Sequence, residues 1–212
     1  MNSVNYFDSI ATQWNVIRSE YFNETLKYLA LSKVDIKNKI CADLGCGTGF
    51  ISLALSTDSN MVFSIDNSRN MLKELYGIAL KNGIKNIHPI IGSMDEIPLF
   101  DSSVDAVFTN MALHHVRQAK KAVEEMYRVL KKDGTVIISD VEQHNGLWAK
   151  EEMFDEWLGF SHEQIKKWMG EAGFVDIEVE STGLSCKGYS SKGEYTETGI
   201  FIARGRKEEE LL

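Results

Sequence analysis

Residues 43–49 read Asp-Leu-Gly-Cys-Gly-Thr-Gly and follow a short, mainly apolar stretch at 39–42. A strand that ends in three closely spaced glycines and then enters a helix, expected over 50–56, brings its backbone close to a ligand. Glycines at 45, 47 and 49 permit positive φ angles and carry no Cβ to block the approach. The next strand, 61–65, runs into Asp66. An acidic residue about twenty positions after such a turn stands where it can bind ribose hydroxyls at the edge of the adjoining strand. Together the two features predict a nucleoside cofactor.

Spacing selects the nucleoside. The nicotinamide fingerprint needs glycine at the first, third and sixth positions of the turn. Here the sixth position from Gly45 is Phe50, and the glycines follow a one-three-five pattern. No Gly-Lys-Ser/Thr follows, so a phosphate-binding loop is excluded. Asp43, two residues ahead of the first glycine, would repel a pyrophosphate on the helix N-terminus but would favour a ligand that carries positive charge. S-adenosylmethionine carries an ammonium and a sulfonium, and it is the expected cofactor in preference to a dinucleotide.

A chain of 212 residues is ordinarily one domain with a real core. Its net charge of −8, from 23 basic and 31 acidic residues, argues against a nucleic-acid groove and against a polyanionic substrate. A neutral or cationic small molecule fits better. Cys41, Cys46 and Cys186 are odd in number and lack metal-type spacing, which suits a reducing compartment and predicts no metal centre. Positions 1–14 have no basic leader, and nothing approaches eighteen consecutive apolar residues. A cytoplasmic location without membrane insertion is expected.

Helix and strand alternate along the chain. Phe22, Leu26, Leu29 and Ala30 have helical spacing ahead of the first strand. A helix over 69–81 precedes a strand over 87–91. A strand over 104–109 precedes a helix over 118–130, and Asp133-Gly134 turns the chain into a strand over 135–139. Ser161 with Gln164 forms a capping-box pattern opening a helix that Gly173 closes. Late strands over 175–180 and 198–203 read as an antiparallel pair joined by a long polar loop, 181–197. From 205 the tail is charged, with Glu208 to Glu210 read as a solvated run. Repeating βα units predict a mostly parallel sheet covered by helices on both faces.

The blocks Ala-Asp-Leu-Gly-Cys-Gly-Thr-Gly (42–49), Ser-Ile-Asp-Asn-Ser-Arg-Asn-Met-Leu (64–72), Gly-Ser-Met-Asp-Glu-Ile-Pro-Leu (92–99) and Val-Asp-Ala-Val-Phe-Thr-Asn-Met-Ala-Leu-His-His-Val (104–116) carry a resemblance, with Tyr-Arg-Val-Leu-Lys-Lys-Asp-Gly (127–134) beside them. Over roughly 38–140 the chain resembles class I S-adenosylmethionine-dependent methyltransferases, in particular the small-molecule branch that includes the quinone C-methyltransferases (the methyltransferase type 11 domain). The resemblance implies a Rossmann-like α/β fold: a mostly parallel seven-stranded sheet with an antiparallel C-terminal strand. It implies an N-terminal helical lid over 1–36, a methyltransferase domain over 37–204 and a charged tail over 205–212. Asp43 would lie near the ammonium, Gly45, Cys46 and Gly47 along the methionine part, and Asp66 on the ribose. Asn67, Met71, Ser93 and Met94 would surround the adenine. Asn110, followed by Met111, would offer its carbonyl to the ammonium. Many relatives carry Asp where Ser93 stands, and a neutral bond there is weaker by about 1 kcal/mol. Tyr6-Phe7-Asp8 to Trp14 looks like the family's mobile lid.

The acceptor side is less constrained. His114 and His115 follow the fourth strand at the carboxyl edge, where either can orient or deprotonate an acceptor. An extended segment would point only one of them into the cleft. Asp140, Glu142 and His144 follow the fifth strand at the same edge. Trp148, Phe154, Trp157 and Phe160 make either an acceptor wall or a covering layer of the core. Cys186 lies in the late loop with Tyr189 and Tyr195; a lone thiol is poor support for binding a soft acceptor such as arsenic. Three readings stand: methyl transfer to a small acceptor, methylation of protein or nucleic acid, and a non-catalytic cofactor-binding or regulatory module.

Overall fold

Five strands apolar on both faces form the parallel part of the sheet: β1 (Ile40–Leu44), β2 (Met61–Asp66), β3 (Ile87–Ile91), β4 (Val104–Asn110) and β5 (Leu130–Val141). The computed structural model describes residues 3–208. Two further strands, β6 (Phe174–Tyr189) and β7 (Tyr195–Lys207), complete a seven-stranded sheet of order β3-β2-β1-β4-β5-β7-β6, in which β7 is antiparallel to both neighbours.

Alternation along the strands sorts the core into two layers. Ala42, Val107, Val136 and Ile138 face α6 (Ala119–Val129) and α8 (His162–Ala172), meeting Val123, Met126, Ile165 and Met169. Their strand neighbours Cys41, Ala106 and Ile137 face the other way, with Leu72 and Leu75 of α5 (Arg69–Lys81) and Leu55 of α4 (Ser52–Leu55). The expected helix over 50–56 is therefore only a single turn. The α5 and α8 boundaries follow from their caps: Ser68 Oγ accepts from Met71 N–H at 3.1 Å, and Ser161 Oγ from Gln164 N–H at 3.2 Å. Gly173, at φ 102°, ends α8 as its sequence position implied.

The C-terminal region differs from expectation. The stretch 181–197 is not a polar loop but mostly strand: β6 and β7 extend as a hairpin pairing Cys186 with Thr198 and Tyr189 with Tyr195, after a register shift between Ser181 and Ser185. Burial along β6 alternates residue by residue, so half of its side chains face solvent and read as loop-like. Residues 205–207, read as tail, pair as strand with Val136, Thr135 and Phe174. Glu208 is exposed, and 209–212, with the rest of the acidic run, lie outside the described residues.

The N-terminal segment folds as α1 (Ser3–Ile10), a 3-10 turn (Ala11–Gln13), α2 (Trp14–Tyr21) and α3 (Thr25–Ser32). Strand order reverses between β1 and β4, which opens a crevice at their carboxyl ends. No helix among the described residues is long and apolar enough to cross a membrane.

Candidate active site

The glycine turn lies at that crevice. Gly45 and Cys46 donate to the Ile65 carbonyl at 2.8 and 3.1 Å, locking the turn onto β2. Gly45 has φ 64°, and a Cβ there would come within 2.5 Å of Met94 Cε and 2.6 Å of Ala112 Cβ. Asp66 closes the other side. Its Oδ2 accepts from Gly47 N–H and its Oδ1 from Ser68 N–H, both at 2.8 Å, and burial raises its pKa.

Above the turn is a cavity that opens to solvent. Gly45, Cys46, Gly47, Asp66, Asn67 and Met71 line one side; Ser93, Met94, Asn110 and Met111 line the other. Asp43 does not reach it. Asp43 shares the strand face of Cys41, and its Oδ2 accepts from Ser52 Oγ at 2.5 Å beneath the turn, with Ser64 Oγ 2.7 Å beyond. It is 1% exposed, and burial pushes its pKa up to about 7. Its place is under the turn, where it braces Ser52. Ser93 Oγ donates to Asp95, so a carboxylate two residues on stands behind the hydroxyl.

The N-terminal helices supply the roof. Phe7, Trp14, Arg18 and Phe22 line the same cavity. Arg18 is 8% exposed and donates through Nη2 to Glu24 at 2.9 Å, with its guanidinium 4.1 Å from the Phe50 ring centre. Its Nε and Nη1 are buried without a hydrogen-bond partner. Sequence reading passed Arg18 over, although it lies one helical turn after Trp14 on the same face.

A second cavity adjoins the first and shares Trp14, Phe22, Met111 and His115 with it. Its walls are mainly apolar, among them Tyr21, Val141, Trp148 and Met153. Met111, at φ 52°, breaks β4, and the chain enters a 3-10 turn, Leu113–His115, instead of running on extended. Both histidines therefore face the second cavity, with ring centres 4.1 Å apart, contrary to the alternation expected. His114 Nδ1 lies 2.5 Å from Asp140 Oδ1, and its backbone N–H donates to Oδ2 at 3.2 Å. Burial alone would depress the His114 pKa, but Asp140 and Asp155 outweigh it and raise it to about 9. Burial and the neighbouring His114 drive His115 well down, and burial lifts Asp155 to about 6.

The remaining acceptor-side candidates divide. His144 and Cys186 line the second cavity, whereas Glu142 lies outside it, held by Ser181 and by His162 at 3.2 Å. Trp148 lines the cavity and Phe154 packs on Tyr6 with ring centres 5.4 Å apart, while Trp157 and Phe160 pack with Trp168 in the core. Asp155 was not anticipated at all; it lies on a loop, 41 positions beyond His114 by residue number, with no motif to mark it.

A family model described as a methyltransferase domain matches residues 36–195. The chain belongs to that family. It is 26% identical over 175 residues to the chloroplastic 2-methyl-6-phytyl-1,4-hydroquinone methyltransferase of Spinacia oleracea, covering 80% of this chain and 49% of that protein. It is 30% identical over 168 residues to a demethylmenaquinone methyltransferase of Staphylococcus aureus, covering 66% of this chain and 69% of the relative. The chain thus spans about half the length of the spinach relative. Among solved structures, a phosphoethanolamine N-methyltransferase 2 of Haemonchus contortus in complex with S-adenosyl-L-methionine superposes with a TM-score of 0.79 at 15% identity, over 99% of this chain and 60% of that one. At that identity the likeness is one of fold.

The residues of the first cavity fit S-adenosylmethionine. The floor at Gly45 is a cradle that a Cβ would fill. The Asp66 carboxylate suits ribose hydroxyls, and the unpaired Nε and Nη1 of Arg18 suit a ligand carboxylate.

Proposed function

We propose that the protein is an S-adenosylmethionine-dependent methyltransferase acting on a small, largely apolar acceptor in the second cavity. The observation that carries this reading is the wall the two cavities share at Met111 and His115. S-adenosylmethionine supplies a methyl carbon on a sulfur already activated to leave. Transfer then needs the acceptor atom in line with that carbon and water kept out, and adjoining cavities with a common wall provide both.

In this reading Asp66 holds the ribose, Asn67, Met71, Ser93 and Met94 the adenine, and Gly45, Cys46 and Gly47 the methionine chain. The Asn110 carbonyl takes the ammonium and Arg18 the carboxylate. Met111 backs the junction. His114, braced by Asp140, and His115 form the polar patch that orients the acceptor. Both relatives described above are named for quinone or hydroquinone acceptors, and a cavity walled by Tyr21 and Trp148 suits a planar acceptor of that kind.

The test follows label from methyl-tritiated S-adenosylmethionine in a host lysate separated by size and solubility. Label in an organic or low-mass fraction is expected. Label in protein or nucleic acid would overturn the small-molecule reading, and tight cofactor binding without any transfer would favour a binding module.

A further inference from the structure

The second cavity is lined by three side chains of metal-ligand type, His114, His115 and Asp155, whose ligand atoms lie within 4.8 Å of one another. Asp155 Oδ1 is 3.3 Å from His115 Nδ1 and 3.9 Å from His114 Nε2. Asp155 Oδ1 and His115 Nδ1 are both buried, and neither has a hydrogen-bond partner despite their closeness. The two atoms are near each other without being aligned on each other. The Asp155 side chain is only 8% exposed, so an orphaned carboxylate oxygen there is costly. A third body at a common point would satisfy both atoms.

Distances favour a cation at that point. Bonds of about 2.0–2.1 Å to imidazole nitrogen and carboxylate oxygen, at tetrahedral angles, set ligand atoms roughly 3.3–3.4 Å apart. The His115–Asp155 separation already has this value, and His114 Nε2 needs to approach by about half an ångström. Behind His114, Asp140 engages Nδ1 at 2.5 Å, which turns Nε2 outward, so that an ion bound there replaces the Nε2 proton; a carboxylate behind an imidazole is the usual support of a ligating histidine. The loop carrying Asp155 is tied to the same segment, since Glu156 and Trp157 N–H both donate to the His114 carbonyl at 3.0 Å. Phe154 is held at φ 61° beside it. Two carboxylates, Asp140 and Asp155, face a pair of imidazoles, and this set matches a divalent ion of borderline softness.

We propose that His114 Nε2, His115 Nδ1 and Asp155 hold a divalent transition-metal ion of the zinc type, with its fourth position open to the second cavity. The expectation of no metal came from cysteine spacing, which does not report on residues that meet only in the fold. Placing the ion beside an acceptor rests on the function proposed above; the binding of metal does not. An ion there would take an acceptor oxygen in its open position and orient it toward the first cavity.

The test titrates the chelator-stripped full chain with Co²⁺, read by visible absorption, and with Zn²⁺, read by calorimetry. One equivalent of either metal is expected. Asp155→Asn should lose binding, and Asp140→Asn should weaken it about ten- to a hundredfold. Cys186→Ser should leave it unchanged, although the thiol lines the same cavity. An unchanged dissociation constant for S-adenosylhomocysteine in each variant shows that the fold is intact. No uptake by the parent chain, uptake indifferent to Asp155→Asn, or uptake abolished by Cys186→Ser would overturn the site. Absence of methyl transfer alongside intact Co²⁺ binding would count against the functional reading alone.

Discussion

Arg18 illustrates how a single side chain acquires a role from burial. An exposed arginine is solvated on all sides, but here two of its nitrogens are buried without a partner and line the cofactor cavity. A carboxylate supplied by the cofactor would pair with them. Arg18→Met should therefore weaken S-adenosylhomocysteine by about 2 kcal/mol, roughly thirtyfold, and leave adenosine binding nearly unchanged. Equal losses for the two ligands in calorimetry would remove Arg18 from the carboxylate. Asp43 shows another case, a carboxyl buried beneath the glycine turn and outside the lining of the cavity. Its unfolded pKa is about 4, whereas burial raises the folded value to about 7. The folded state then binds the proton more tightly, so this contribution is full below pH 4 and is lost as pH rises toward about 7. Asp43→Asn retains an acceptor for Ser52 without the titration. Urea midpoints across that window should fall with pH more steeply in the parent than in the variant, and parallel curves would refute the buried-brace role.

Among elements, the N-terminal helix α1 is joined to α5 through Asp8. Asp8 Oδ1 accepts from Ser68 Oγ at 2.6 Å and from Asn70 N–H at 2.9 Å, so α1 is pinned to the first turn of α5, next to Asp66. Asp8→Ala removes the acceptor of two hydrogen bonds at the first turn of α5, worth about 1 kcal/mol, and dissociation of S-adenosylhomocysteine should accelerate roughly fivefold. Stopped-flow rates identical to the parent would show that the lid does not depend on this latch. Helices and central strands were legible because burial imposes their periods: α5 coincides with the stretch 69–81 and β3 with 87–91. The hairpin was not legible, since β6 is an edge strand whose polar residues alternate with half-buried ones and leave no apolar run.

At the scale of the whole molecule, the second cavity is assembled from α2, the turn after β4, the 144–155 segment and the late hairpin. Gly188 of the hairpin packs so closely that a Cβ would lie 2.9 Å from Tyr21 and 3.1 Å from Trp148, two residues of the cavity wall. Gly188→Ala should raise the KM for the acceptor several-fold while the S-adenosylhomocysteine dissociation constant stays unchanged. A variant that alters cofactor affinity and leaves KM alone would contradict the division between the cavities.

The sequence by itself determined the parallel part of the sheet and the glycine turn at its crevice. Glycines at fixed spacing, an acid after the second strand and alternating βα periods are local constraints, and each can be read from a short window. Only the tertiary structure decided the rest: that Asp43 turns under the glycine loop, that both histidines share one side of a 3-10 turn, and that Arg18 and Asp155 reach the two cavities. Those facts depend on which distant segments pack together, and packing is set by complementary burial across the whole chain rather than by any motif within it.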